Sequence, residues 1–225
     1  RQLRIDRRSL IRMSKIGIPA GIQSCLFSLS NVAIQSAINA YGSVVIAGCS
    51  AAGGIEGFIY VAMNSFHQAA QTFMSQNIGA GKHKRIRGIL KRCILCTVVT
   101  GAALSALSLL LNEPLLRIYN EDPLVIAAGG VHLYMVATLY FIFGIADVLT
   151  GAIRGCGSPV APVVINLLCT CALRLIWVAA IDTSTVPVSL VYASYPASWI
   201  LLLIVLTFCW HRLYRKQILP NIAGV

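Results

Sequence analysis

Apolar runs long enough to cross a bilayer alternate along this chain with short basic or polar breaks. A crossing takes about 20 apolar residues. On that count the pattern predicts six helical spans, at about 16–40, 45–78, 93–111, 124–153, 160–181 and 188–210. The second and fourth exceed what a crossing needs, so they are expected to tilt, kink or project from the bilayer. Gly and Pro fall within several spans and at their ends, which membrane helices tolerate. No period-two alternation with turn signals is present, which disfavours a β-barrel. The connections are short, so sequential spans should be antiparallel. The expected fold is all-α and integral to the membrane, a bundle of six transmembrane helices.

The polar residues inside these runs are not scattered. At about 100° per residue, Glu56, Tyr60, Asn64, His67 and Gln71 share one stripe of the second span. Ser24, Ser28, Asn31, Gln35 and Asn39 fall within an arc of about 80° on the first. Tyr140, Gly144, Asp147, Gly151 and Arg154 share a face of the fourth, and Asn166, Thr170 and Arg174 are spaced by four on the fifth, with Trp177 alongside. Lipid offers such groups no hydrogen bonds, and a charged residue at mid-helix costs about 2.5–3.5 kcal/mol on insertion scales. They are therefore expected to face the bundle interior or a watery cavity that carries an ion or substrate. Serine and threonine can instead bond helix to helix, at about 0.6 kcal/mol each.

Glu56 and Asp147 are the candidates for binding a coupling ion or proton. The candidates for lining the cavity are Gln23, Asn31, Gln35, Asn39, Tyr60, Asn64, His67, Gln71, Tyr140, Asn166 and Arg174. Arg174 could form a buried pair with Asp147 or Glu56, although desolvation can cancel the Coulomb gain of such a pair. Burial could equally hold the carboxyls protonated. A carboxyl that changes protonation as the cavity opens would couple proton movement to transport. His67 taken alone reads equally well as a structural histidine or as a proton carrier.

Composition agrees with the membrane reading. Of 225 residues, 57% are hydrophobic and 11% charged, against about 25% charged in a soluble domain. The net charge of +11 could point to nucleic acid, but the basic residues sit in short clusters between spans rather than on a basic–aromatic surface. Sixteen of the eighteen fall on one side of the six-span arrangement: before the first span, at Lys82 to Arg92, at Arg154, and after the sixth. The opposite side carries Arg117 with Glu113, Glu121 and Asp122, and later Asp182. The positive-inside rule then places both ends of the bundle in the cytoplasm. Residues 1–15 are basic with interspersed Leu3, Ile5, Leu10, Ile11 and Met13, and are expected to form an amphipathic cytoplasmic linker lying on the inner surface. Residues 217–225 form the tail. The chain opens on Arg1 without signal-peptide features, and it is expected to be a piece of something longer.

Little suggests chemistry on covalent bonds. Cys93 and Cys96 form a CxxC at the mouth of an apolar helix, with no second pair to complete a zinc site, and the eight cysteines read as small apolar residues. No His/Cys/Asp/Glu spacing suggests a metal site, and no nucleophile–base arrangement is evident. GAGKHKR lacks the spacing of a phosphate loop, and no strand precedes it. No enzyme activity and no cofactor are expected.

Three stretches carry a resemblance: GIPAGIQS opening the first span, QNIGAGKHKRIRG closing the second, and ADVLTGAIRGCGSP closing the fourth. In this order they resemble multidrug and toxic compound extrusion (MATE) transporters, nearest to a bacterial gut-type branch, over about residues 10–216. The resemblance implies one six-helix lobe of a twelve-helix protein, here the C-terminal lobe, whose partner would be an N-terminal six-helix lobe across a central cavity. It implies export of organic, often cationic, amphipathic compounds across a bacterial inner membrane, in exchange for Na+ or H+. It also implies departures. In the best-known Na+-coupled branch, acidic residues stand near the positions held here by Phe27 and Phe143, so those cation ligands do not carry over.

Other readings remain at this point. A flippase for lipid-linked oligosaccharide, within the same superfamily, fits the spans equally well. A membrane-embedded transferase would need a DDxxD-like run or a catalytic His pair, and neither is present. A purely structural subunit would leave the aligned polar faces unexplained.

Overall fold

The computed structural model describes residues 6–182 and 185–223, apart from the side chains of 9, 12, 15, 16, 19, 20, 23 and 223. The described residues are mostly helical, with no strand among them. Helix α1 runs from Arg7–Asn39 and α2 from Ser43–Gly79. At 1.5 Å per residue α2 is about 55 Å long, well beyond a hydrocarbon core of about 30 Å. A 3-10 turn at His83–Arg85 leads into α3, Ile86–Leu110. A short α4, Asn112–Arg117, precedes α5, Pro123–Ala137, and α6, Tyr140–Gly155. Then come α7, Val160–Asn166, a π-helical stretch at Leu167–Ala172 and α8, Leu173–Ala180. The chain closes with α9, Val188–Tyr192, α10, Ser194–Leu213, a second π-helical stretch at Tyr214–Ile218 and α11, Leu219–Ala223. Among the described residues four helices are long and apolar enough to cross a membrane, or five if α5 and α6 form one bent span.

Several boundaries differ from the apolar pattern, each for a physical reason. The basic linker expected over 1–15 is not separate from Arg7 onward: α1 passes through residue 16 without a break. Likewise α3 begins at Ile86, not 93, because Arg87, Lys91 and Arg92 are helical. Hydropathy marks where a helix meets lipid, not where it starts. Part of the stretch expected as a tail from 217 is helical, up to Ala223. The fourth span breaks after Ala137 and bends by 47°. No Pro or Gly lies at the break. Instead the Thr138 hydroxyl donates to the Tyr134 carbonyl at 2.5 Å, a back-bond of the kind that bends helices. At the start of α5, the Asp122 carboxylate accepts from the Leu124 amide at 2.9 Å and Pro123 occupies the first turn, which fixes that end.

The bundle is organised around α2, which packs against α3, α5 and α6; α6 packs in turn against α3 and α10. Glycines let these backbones approach. A Cβ on Gly48 would meet the Gly129 nitrogen at 2.6 Å, and one on Gly151 the His67 carbonyl at 2.5 Å. Small residues at helix contacts serve this purpose in membranes. Increasing residue numbers match on both sides, from Gly48 with Gly129 to Gln71 with Gly155. Hence α2 runs parallel to the α5–α6 arm, as expected for second and fourth spans. The largest apolar core lies where α2, α3, α6 and α10 meet, around Met74, Ile86, Ile153 and Leu206.

Two of the glycine motifs are helix stops. Gly81 at the end of α2 and Gly157 at the end of α6 have φ of 69° and 86°. At both ends the residue after the glycine bonds back to an earlier carbonyl: Lys82 to that of Asn77 at 2.8 Å, and Ser158 to that of Ile153 at 3.3 Å. This is the Schellman closure, which takes a left-handed residue. GAGK and RGCG therefore end two parallel helices in the same way. Gly157→Ala is expected to cost about 1–2 kcal/mol, the penalty of a Cβ in that conformation; thermal unfolding in detergent would measure it, and an unchanged midpoint would contradict the assignment.

Candidate functional site

The polar stripes converge. A cavity of about 700 Å³ opens between α1, α2, α6, α7, α8 and α10. Of the residues picked out as its lining, Asn31, Glu56, Tyr60, Asn64, His67, Tyr140, Asp147, Asn166 and Arg174 border it. Three do not. Gln35 and Asn39 bond to each other at 3.2 Å, farther along α1. Gln71 lies one turn beyond the cavity, where its carbonyl faces Gly155. The side chain of Gln23 lies outside the described residues. Each stripe outruns the cavity, so its distal members fall past the rim. Gly144 and Gly151, which share the polar face of α6, serve packing: a Cβ on Gly144 would collide with the Met63 side chain.

Both carboxylates pair with histidines. His67 Nδ1 lies 2.9 Å from Asp147 Oδ1 and 2.8 Å from the Asp147 carbonyl. A carbonyl can only accept, so Nδ1 carries the proton and donates to both oxygens. Asp147 Oδ2 is buried without a hydrogen-bond partner. His132 Nε2 lies 2.9 Å from Glu56 Oε1. That oxygen nonetheless lacks a hydrogen bond of good geometry, so the contact is set off the N–H axis. On the far side of the ring, His132 Nδ1 is 3.5 Å from the Cys49 thiol.

Arg174 departs from expectation. It is 2% exposed and pairs with neither carboxylate. Its Nε donates to Ser198 Oγ at 2.9 Å, and its guanidinium lies 4.3 Å from the Tyr195 ring centre and 6.0 Å from that of Phe27. Cation–π contact and one hydrogen bond replace the ion pair. The carboxylates meet histidines of α2 and α5, and the arginine meets the aromatic wall.

Of that wall only Tyr60 and Tyr140 were read from the sequence as cavity lining. Phe143 sits at its centre, 5.7 Å from Tyr140, 5.5 Å from Trp199 and 6.2 Å from Tyr60. Tyr195 and Trp199, spaced by four on α10, close it at 6.1 Å. His132 was missed as well. Its signal was available: it is an ionisable residue within an apolar run, and such residues are functional candidates by default. A second hollow of about 550 Å³, along α8 and α9, is lined by apolar residues such as Leu168, Ile176 and Leu190 and holds no titratable group.

The chain is similar to known proteins in sequence and in fold. The MatE family model matches residues 19–179. The probable multidrug resistance protein YoeA of Bacillus subtilis is 24% identical over 222 residues, which are 96% of this chain and 47% of that protein. The probable multidrug resistance protein NorM of Thermotoga maritima is 21% identical over 186 residues, 83% of this chain and 39% of its own length. Among solved structures, a point mutant of the Vibrio cholerae MATE transporter VcmN superposes with a TM-score of 0.83 at 16% identity, over 93% of this chain and 48% of that one. A MOP superfamily transporter from Pyrococcus furiosus gives 0.82 at 15% identity, over 92% of this chain and 45% of its own. The chain thus spans less than half the length of each of these relatives.

Proposed function

From the premise that this chain belongs to the MatE family, we propose that it is one six-helix lobe of a multidrug efflux transporter that exports organic cations by cation-coupled antiport. Its multi-pass bundle would sit in a bacterial inner membrane with both ends of the lobe in the cytoplasm. A second six-helix lobe would complete the cavity, and alternating access would follow from rocking of one lobe against the other. The coupling ion would be Na+ or H+.

The observation that carries this reading is the make-up of the cavity. It offers two carboxylates and a wall of Phe27, Tyr60, Tyr140, Phe143, Tyr195 and Trp199. Aromatic faces attract cations without fixing their shape, and a carboxylate supplies charge for an ion or substrate to exchange against. Phe27 and Phe143, near positions that the family resemblance implies are acidic in the Na+-coupled branch, contribute to this wall.

The test is export of the fluorescent cation ethidium from cells that carry the full-length protein. Glu56→Gln and Asp147→Asn are each expected to cut export about tenfold or more, since each removes a charge from a low-dielectric site. Export and ion dependence intact in both variants would defeat the assignment. Residues 1–225 expressed alone are expected not to export the dye, because one lobe encloses only half of a cavity.

A further inference from the structure

We propose that His132, together with Glu56, is a buried proton-binding site of this lobe, and that the ion exchanged for substrate is therefore the proton; this rests on the transport reading above. His132 is on α5, outside the polar stripes. Its side chain is 3% exposed, while that of Glu56 is 14% exposed and borders the cavity. The imidazole bridges the thiol of Cys49 on one nitrogen and the carboxylate of Glu56 on the other.

This geometry stores one proton without moving a heavy atom. In the neutral ring one nitrogen donates and the other accepts. Added H+ binds the accepting nitrogen and converts the pair from neutral imidazole with carboxylate to imidazolium with carboxylate. Release gives one proton, that of Nε2, to water by way of Glu56, which is the member of the trio that reaches the cavity, and the ring keeps the other on Nδ1. A cationic substrate beside Glu56 favours release, because like charges repel in a low-dielectric site.

The surroundings fit a proton better than a metal cation. A hard cation takes several oxygens around it, whereas the near neighbour of Glu56 Oε1 is a ring nitrogen. The two ring nitrogens point to opposite partners, so Cys49 and Glu56 cannot ligate one ion together through this ring. Among the described residues no three His, Cys, Asp or Glu side chains gather to hold a metal. The other groups facing His132 are tyrosines: Tyr192 of α9, edge-on at 4.4 Å between ring centres, and Tyr195 of α10 at 6.2 Å. Arg174 of α8 lies behind Tyr195, and Tyr140 of α6 borders the same cavity. Glu113 and Arg117 of α4 are exposed and bonded to each other at 2.8 Å.

A reciprocal pair strengthens the case. Helix α2 supplies the carboxylate at Glu56 and the imidazole at His67, and the α5–α6 arm supplies the imidazole at His132 and the carboxylate at Asp147. The two pairs lie on either side of the bend at residues 138–139. They make two proton stations along one helix interface.

The experiment uses the full-length protein, purified and in proteoliposomes. Ethidium movement is followed under a pH gradient and, separately, under a Na+ gradient, and protons released on adding ethidium are counted in unbuffered detergent solution. Wild type should move dye with the pH gradient and release protons on binding. His132→Gln should abolish the proton release and lower pH-driven movement about tenfold or more, the effect of at least one lost pKa unit of coupling. Should His132→Gln not be recovered folded, Glu56→Gln decides. It leaves the ring without its counter-charge, so the pH midpoint of release should move about one unit to acid. An unchanged proton count in His132→Gln, an unchanged midpoint in Glu56→Gln, or a wild type driven by Na+ alone overturns the site and leaves the transport reading standing. A wild type that moves no dye under either gradient sinks the transport reading and this site with it.

Discussion

Gly151→Ala is expected to be among the most damaging small substitutions in this chain. Its Cβ would meet the backbone carbonyl of His67 at 2.5 Å and the His67 Cγ at 3.3 Å. A carbonyl in a packed helix cannot swing aside, so α6 must move off α2. Overpacking of this kind costs about 1–3 kcal/mol, occasionally more. The same displacement separates His67 from Asp147, whose contacts are 2.8 and 2.9 Å, so transport should fall along with stability. Gly155→Ala should behave alike, because its Cβ would meet the Gln71 carbonyl at 2.5 Å. Gly144→Ala meets side chains rather than backbone, the terminal methyl of Met63 and the Thr97 Cγ2 at 2.7 Å, so it should be milder only as far as Met63 can change rotamer and α3 can yield at Thr97. Gly88→Ala is the control. It lies in α3 with nothing within 4 Å of the added carbon, and should be neutral or stabilising by up to about 1 kcal/mol. Thermal unfolding of the purified variants gives the ranking. If Gly151→Ala and Gly88→Ala unfold together, the close approach of α2 and α6 is refuted.

Replacing Arg174 should separate stability from binding. Arg174→Met keeps much of the volume and removes a charge whose partners are a hydroxyl and two ring faces. Exchange of a buried charge for a well-packed apolar side chain is often neutral or stabilising. Arg174→Ala instead empties a fully buried site and should cost about 2–5 kcal/mol, as for other large-to-small core changes. On binding, both changes remove a positive charge from the cavity wall. Two unit charges about 10 Å apart at an effective dielectric of about 20 interact by ~1.7 kcal/mol, a little over tenfold in affinity. Ethidium should therefore bind Arg174→Met about tenfold more tightly than wild type, with a weaker gain for a neutral dye. Fluorescence titration of the full-length protein would show it. Equal affinities for both proteins would remove Arg174 from the electrostatics of the cavity.

Much of the architecture was legible from local pattern. Hydropathy located the helices well, and the 3.6-residue period put Glu56, Tyr60, Asn64 and His67 on the face that borders the cavity. It failed at the ends of the stripes, where Gln35, Asn39 and Gln71 continue the period but the cavity does not. Helical phase gives direction about an axis and says nothing of depth. It also grouped Gly144 and Gly151 with polar neighbours, although a glycine on that face serves backbone approach. Asn166 and Arg174 both border the cavity, yet Thr170 between them is buried with its hydroxyl unpartnered. The π-helical stretch at Leu167–Ala172 changes the phase there, which a constant 100° step does not follow.

Helicity, affinity for the membrane and the sharing of polar residues along one face are properties of a few turns, so the order of residues decides them. Partnership is different. Glu56 and Asp147 were evident as carboxylates in search of partners, and Arg174 was the partner that charge alone suggested. The register of α2 against the α5–α6 arm chose otherwise. Backbone contacts at Gly48 with Gly129 and at Gly151 with His67 set that register, and the bend at residues 138–139 aims His132 at one carboxylate and brings Asp147 to His67. His132 meets Glu56 across 76 positions of chain. No local rule spans that distance, so only the packing of helices could assign a histidine to each acid.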